Sequence, residues 1–465
     1  MTTTSSARMS ALETVSTYPL LQSLIHRRSR RFSLGARIPG GALAYTSQRT
    51  PVPLTPLEEA LLAFSAAGIS GLCLGDLPFQ PGDLPEGGGG NVLASLAGRV
   101  GASADAIHSA ALFIINDEGA TLFRRPQDVD FGDIAELTTL AAEQRIEELF
   151  RRMCVRVSSQ RPGVPREVPY VFPFNKWSTN LPGTTYFLPV CDISSMYINV
   201  ILSAFDEQMG LFFVDERASL QPAGIARFGR SHGGSLHDDP DDQRLFPVLG
   251  LETIVLELCM AEQAFMAHNL SLVEQAMGLG GWTHLATATE TGWLQALGFR
   301  LGSQRLSQIL HAGIPQEVVM RVFGKDRELQ HGLGLTVDGV DLIKPYCPPY
   351  YDTMEDAVLA LLDYKRSHAF QVRVAPGQPG AWKDPTAVQA DIPPFSDACI
   401  EATIAYCTYL YETYGRFPAY FGPARTTLGH QAHHLDLEFY DRFYQPGAYT
   451  ETQASHMECW HTEAS

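Results

Sequence analysis

Apolar residues recur at helical spacing in five stretches of the chain, with short alternating or continuous apolar runs between them. Over 20–31 the pattern predicts a helix that runs into a basic cluster, His26-Arg27-Arg28-Ser29-Arg30-Arg31-Phe32. A second helix is predicted over 55–67. There Thr55 stands at the cap, Glu58 completes a capping box, and Leu57, Leu61, Leu62 and Phe64 form the apolar side. The longest helical pattern, 251–277, brings Leu256, Met260, Ala264, Ala267, Leu270 and Ala276 near one period. It stops at Gly278-Leu279-Gly280-Gly281, the kind of glycine-rich end helices commonly have. Further helices are predicted over 357–364 and 397–414.

Strand signals are shorter. The run 110–116, closed by Asp117-Glu118-Gly119 and followed by 120–123, reads as a β-hairpin. Strand-like runs at 184–188 and 211–214 lie in a middle region rich in Pro, Gly and aromatic residues. Loops are expected at 78–91, which holds Gly87-Gly88-Gly89-Gly90, and at 347–349 and 376–394. No repeat of roughly 20–50 residues is visible, which excludes solenoids and propellers.

Composition narrows the class. The 465 residues allow two to four domains, or one core with large additions. With 45% hydrophobic and 18% charged residues, a packed core is expected. The 51 acidic and 34 basic side chains give a net charge of −17, which disfavours nucleic acid and anionic membrane as partners. No apolar run reaches the roughly 18–20 residues of a membrane span. Residues 1–16 are rich in Ser and Thr and lack the order of a secretory signal. Eight cysteines without a CxxC pair point to reduced thiols and a cytoplasmic protein.

Three stretches carry candidate ligand chemistry. The guanidiniums of Arg27, Arg28, Arg30 and Arg31 repel one another and suit a phosphate held bidentately. The alternative is a solvated basic turn that pairs with the chain's own surplus carboxylates. In Gly98-Arg99-Val100-Gly101-Ala102-Ser103-Ala104-Asp105-Ala106, small residues would let backbone approach a flat ligand, with Arg99 and Ser103 adding a charge and a hydroxyl. Gly278, Gly280 and Gly281 either border a ring system or simply end a helix. They do not fit GxGxxG, and no P-loop, GxSxG or EF-hand spacing occurs.

Together these stretches resemble the nitroreductase-like flavoprotein family, whose members begin with a helix followed by an Arg-Arg-Ser-x-Arg-x-Phe motif. Anchored on Phe32, Arg27 and Arg30 take the Arg slots and Arg28 the Ser slot. The segment from Arg99 to Ala106 is similar to the Arg…Pro-Ser-x-Gly-Ala stretch of the azoline-oxidising branch, with Ala102 for its Pro and Asp105 for its Gly. The resemblance implies an α+β, nitroreductase-like core, a central sheet flanked by helices, with a middle insertion and a helical C-terminal extension. Its division of the chain is 1–19 disordered, 20–145 and 251–345 core, 146–250 inserted subdomain and 346–465 extension. It implies FMN held by Arg27, Arg28, Arg30, Arg99, Ser103, Gly278, Gly280 and Gly281. NAD(P)H would supply hydride to a small organic acceptor, and the site would lie in a homodimer. Lys344 and Arg425 are candidates for the basic group that members place near the flavin. No acid–base residue is required, since orientation and exclusion of water carry the reaction.

A fourth feature lies outside that resemblance. If 430–444 is helical, His430, His434, Glu438 and Asp441 share one face. That set suits a helix-borne iron, manganese or zinc ion, and with it a metal-dependent oxygenase or hydrolase. The competing expectation is a structural His/acid network, and a third is a non-catalytic scaffold. The tail adds His456, Glu458, Cys459, Trp460 and His461.

Overall fold

Alternate residues of the run Ala110–Asn116 face opposite layers, and both layers are dry. Leu112 and Ile114 enter a core shared with helices, while Ala111, Phe113 and Ile115 enter a second core on the other side. The computed structural model describes residues 11–77, 89–285, 290–310, 312–369 and 381–461. Among them ten strands form one sheet: β1 (Ala110–Asn116), β2 (Gly119–Phe123), β3 (Cys154–Ser158), β4 (Thr185–Asp192), β5 (Gly280–Leu285), β6 (Arg300–Arg305), β7 (Glu328–Val337), β8 (Val340–Ile343), β9 (Ala424–Arg425) and β10 (Leu428–His433).

Every pairing in this sheet is antiparallel, which agrees with an α+β architecture. The central strand is β4, buried along its whole length. One edge of β4 carries β1, then β2 and β3. The other edge forks. β10 pairs with its first residues, with His430 opposite Phe187, and carries β5 outward. β9 pairs with its last residues, with Ala424 opposite Asp192, and leads to β7, which holds β6 and β8.

Helices α1 (Leu20–His26), α2 (Pro56–Ala67), α3 (Ile193–Ala204), α4 (Val248–Met277), α5 (Met354–His368) and α6 (Asp397–Tyr414) are joined near the C-terminus by the short α7 (Leu437–Phe443), α8 (Glu451–Ala454) and α9 (His456–Trp460). α2 starts as its sequence directs. The Thr55 hydroxyl accepts the Glu58 N–H, and the Glu58 carboxylate accepts the Thr55 N–H. Leu57 and Leu62 of α2 then pack with Val255 and Met266 of α4, and with Phe187 and Cys191 of β4, in one core. Each such side chain contributes about 1.5–3 kcal/mol by burial. α4 ends at Gly278, whose φ of +86° and N–H bonds to Glu274 and Gln275 carbonyls make a left-handed cap.

Several expectations change. The stretch 146–250 is no insertion, because it supplies β4 and α3, the centre of the sheet and of the core. The C-terminal 346–465 is not purely helical either, since it supplies β9 and β10. Residues 11–17 are helical rather than disordered. The first predicted helix stops at His26, not at Arg31, because the following chain is drawn into tertiary pairing. The Arg30 N–H bonds the Gly281 carbonyl, and Leu34 bonds His434. In the predicted loop 376–394, Pro385–Asp391 is helical and 376–380 lies outside the described residues. Most of the loop 78–91 lies outside them as well. All eight cysteines are free. Among the described residues no helix is long and apolar enough to cross a membrane.

Candidate metal centre

Glu58 sits in the first turn of α2 and is wholly buried. One of its oxygens, Oε2, is held by the Thr55 N–H at 2.5 Å. Three imidazoles brought from the far end of the chain gather around the carboxylate, two of them at the other oxygen, Oε1. His434 Nε2 lies 3.2 Å from Oε1 and His456 Nε2 lies 2.8 Å from it. His461 Nε2 is 3.5 Å from Oε2 and 3.0 Å from His434 Nε2. All four ligand atoms lie within 4.8 Å of one another.

The backbone fixes which nitrogens point inward. His434 Nδ1 is 2.9 Å from the Val52 carbonyl, and His456 Nδ1 is 2.8 Å from the Met277 carbonyl. A carbonyl only accepts, so both Nδ1 atoms carry the proton and both Nε2 atoms of the neutral rings present lone pairs. Two imidazole lone pairs and a carboxylate therefore converge with His461 Nε2 on one point. Despite its closeness to Glu58, buried His456 Nε2 makes no hydrogen bond of acceptable geometry. Burial alone would raise the Glu58 carboxyl, yet the imidazoles of His434, His456 and His461 crowded against it hold it well below the usual carboxylate range. Burial lowers His456, and the Glu58 charge offsets this only in part.

Such a convergence of acceptors calls for positive charge at its centre, which a metal ion or a proton on one of the rings supplies. An ion with bonds of roughly 2.0–2.2 Å sets tetrahedral donors about 3.3–3.5 Å apart, so small adjustments of these side chains would enclose one. The carbonyls that fix His434 and His456 are the outer partners that metal-ligating imidazoles ordinarily have. Three nitrogens and one carboxylate oxygen suit zinc, iron or manganese in the divalent state. His461, at the least buried corner, marks the approach from solvent.

Of the metal ligands expected from sequence, only His434 belongs to this cluster. The stretch 430–444 is not one helix, because 428–433 is taken between β4 and β5 as a strand and Asp436 caps α7 afresh. His430 therefore faces α4, 2.7 Å from Glu274 Oε2, with Thr283 on its other nitrogen. Glu438 is on the surface paired with Arg49, and Asp441 accepts the Tyr449 hydroxyl. Glu58 was legible only as a capping residue. His456 and His461 carried no spacing that would join them to it.

The residues expected at FMN are mostly committed elsewhere. Arg30 is buried, with Nε on the Ala448 carbonyl at 2.7 Å and Nη1 on Gln275 at 3.0 Å. Arg99 spans α2 and β1, bonding the carbonyls of Ala67 at 2.8 Å and Ala110 at 2.6 Å. Ser103 donates to Glu262 and accepts the His108 N–H. Gly278 is the α4 cap, and Gly280 and Gly281 are close-packing positions. A Cβ on Gly280 would meet Leu435, and one on Gly281 would meet the Glu274 carboxylate and the Gln431 carbonyl. Gly281→Ala is expected to lower stability by about 1–3 kcal/mol, read as a fall in the urea midpoint, because backbone and a buried carboxylate must both give way. An unchanged midpoint would show the contact to be soft. Arg27 and Arg28 alone remain exposed, at the end of α1. Asp105 bonds Asn199, Lys344 lies over Tyr351, and Arg425 lies near Phe421. Comparison with protein-family models and with curated proteins finds no match for this chain.

Proposed function

We propose that this protein is a metal-dependent enzyme that holds one divalent first-row transition-metal ion at Glu58, His434, His456 and His461. The observation that carries the reading is the convergence of carboxylate and imidazole lone pairs on a buried point, with His456 Nε2 left without a hydrogen bond. Four protein donors leave one or two positions on a five- or six-coordinate ion. Such positions, approached past His461, suit activation of water or of dioxygen, so the reaction class is hydrolysis or oxygenation. Elemental analysis of the protein as isolated is expected to give about one such ion per chain. Protein that contains none, and takes up none of Zn(II), Fe(II) or Mn(II) when each is supplied, overturns the reading.

A flavin oxidoreductase that uses NAD(P)H is the second reading. It rests on Arg27 and Arg28, exposed at the end of α1 beside the exposed apolar residues Leu20, Leu21, Leu24 and Ile25, a surface suited to a second copy and a phosphate. A yellow protein bleached by NADH or NADPH would carry it. A preparation still colourless after FMN is added removes it.

A further inference from the structure

Lys365, on α5, is 1% exposed, which is unusual for a lysine. Its amine bonds the Asn91 carbonyl at 2.6 Å and the Asn199 side-chain oxygen. The Asn199 amide is oriented from behind, since its NH₂ group donates to the Val92 carbonyl at 3.1 Å and to Asp105 at 3.2 Å. No carboxylate lies within ion-pair distance of Nζ among the described residues. Asp105 is reached only through Asn199.

Two acceptors match the two N–H bonds of a neutral amine and leave its lone pair in the third tetrahedral direction. Lys365 lines a cavity of about 190 Å³ whose other walls include Leu362, Ile392, Pro393 and Phe395, with the exposed Arg366 at its edge. The Phe395 ring centre is 5.2 Å from Nζ. A desolvated amine against an apolar wall is the setting in which lysine acts as a nucleophile. Burial pushes the ammonium down to about 7, which Asp105 and Cys399 offset only in part.

We propose that Lys365 is a covalent attachment site for a small aldehyde or ketone whose apolar substituent fills this cavity. The nitrogen lone pair adds to the carbonyl carbon, forming C–N while the carbonyl π pair passes to oxygen. The C–O bond then breaks, and that oxygen leaves as water with the two protons given up by nitrogen. The product is an imine, and nothing is oxidised or reduced. This site is separate from the metal centre and does not depend on it.

Butanal with sodium cyanoborohydride at pH 7, followed by peptide mass mapping, tests the site. An ordinary lysine, with a pKa near 10.4, is neutral about a thousandfold less often at pH 7 than one near 7. Lys365 is therefore expected to gain a butyl group at least about tenfold faster than Lys176, Lys325, Lys344 or Lys383, even after a penalty for access. Ile392→Trp, which fills the cavity and leaves the amine in place, is expected to abolish that preference while the other four lysines react as before. Labelling of Lys365 no faster than of those four overturns the proposal on the wild-type protein alone. Unchanged labelling in a folded Ile392→Trp protein overturns the cavity's part in it.

Discussion

Glu58→Gln is expected to leave the protein folded and without its metal, whereas Glu438→Ala and Asp441→Ala keep the metal content of the wild type. Glutamine can still reach back to the Thr55 N–H and close the capping box, so the start of α2 survives. What it removes is the only anion in the cluster. Three neutral imidazoles remain around a dication in a buried site, and the positive charge has nothing to offset it. The loss of affinity should exceed the roughly 10–100-fold typical of outer-sphere partners. Elemental analysis and a metal titration read the effect, and a thermal melt shows that the fold persists. Wild-type metal content in Glu58→Gln would mean that Glu58 is not a ligand. Glu438 and Asp441 serve as the contrast because both lie in surface pairs, with Arg49 and Tyr449, away from the buried cluster.

Chelation of the proposed ion is expected to release the C-terminal segment 450–461 while the sheet and α4 stay protected. This segment supplies His456 and His461, half of the proposed ligands. Otherwise it is tied down by few bonds, namely Gln453 to the Leu279 carbonyl, Gln275 to Thr450, and His456 to the Met277 carbonyl. α8 and α9 are too short to be stable alone. An ion present at about 1,000 times its Kd stabilises the state that binds it by about 4 kcal/mol. Loss of that linkage falls on the weakest element it joins. Amide hydrogen exchange should rise in 450–461 on treatment with chelator and stay unchanged in α4, and His456→Ala should give the same pattern without chelator. Equal exchange with and without chelator would show that the tail is held by packing alone.

How much of this was legible depends on how local each cause is. α2 was readable because Thr55 and Glu58 make their cap within one turn, and the β1–β2 hairpin because Asp117-Glu118-Gly119 turns the chain on the spot. α6 was readable to the residue from its own periodicity. The stretch around His430 was misread because the same four-residue spacing fits a helix face, and what makes it a strand lies in β4 and β5, far away in sequence. The same holds for Arg99 and Gly281. A buried guanidinium shared by two carbonyls and a cofactor-binding one have the same letters around them, and only the partners decide. For the cluster around Glu58, sequence offered the histidines but not their meeting point. Glu58 is separated from His434 by nearly the whole chain, and the capping role that made it conspicuous also concealed its second contact.

The fork in the sheet has a consequence of its own. On that edge β4 is paired at 185–187 and at 191–192, with no strand opposite 188–190. The middle residue of that gap is Pro189, a residue ordinarily excluded from central strands because it brings no N–H to the ladder. Where two wings of a sheet part company, that deficiency becomes an asset, since any other residue there would carry a donor to a place where no strand waits to receive it. The single ring of Pro189 thus marks where one sheet divides in two, and the wing it frees at the start of β4 is the one that leads through β10 to His434.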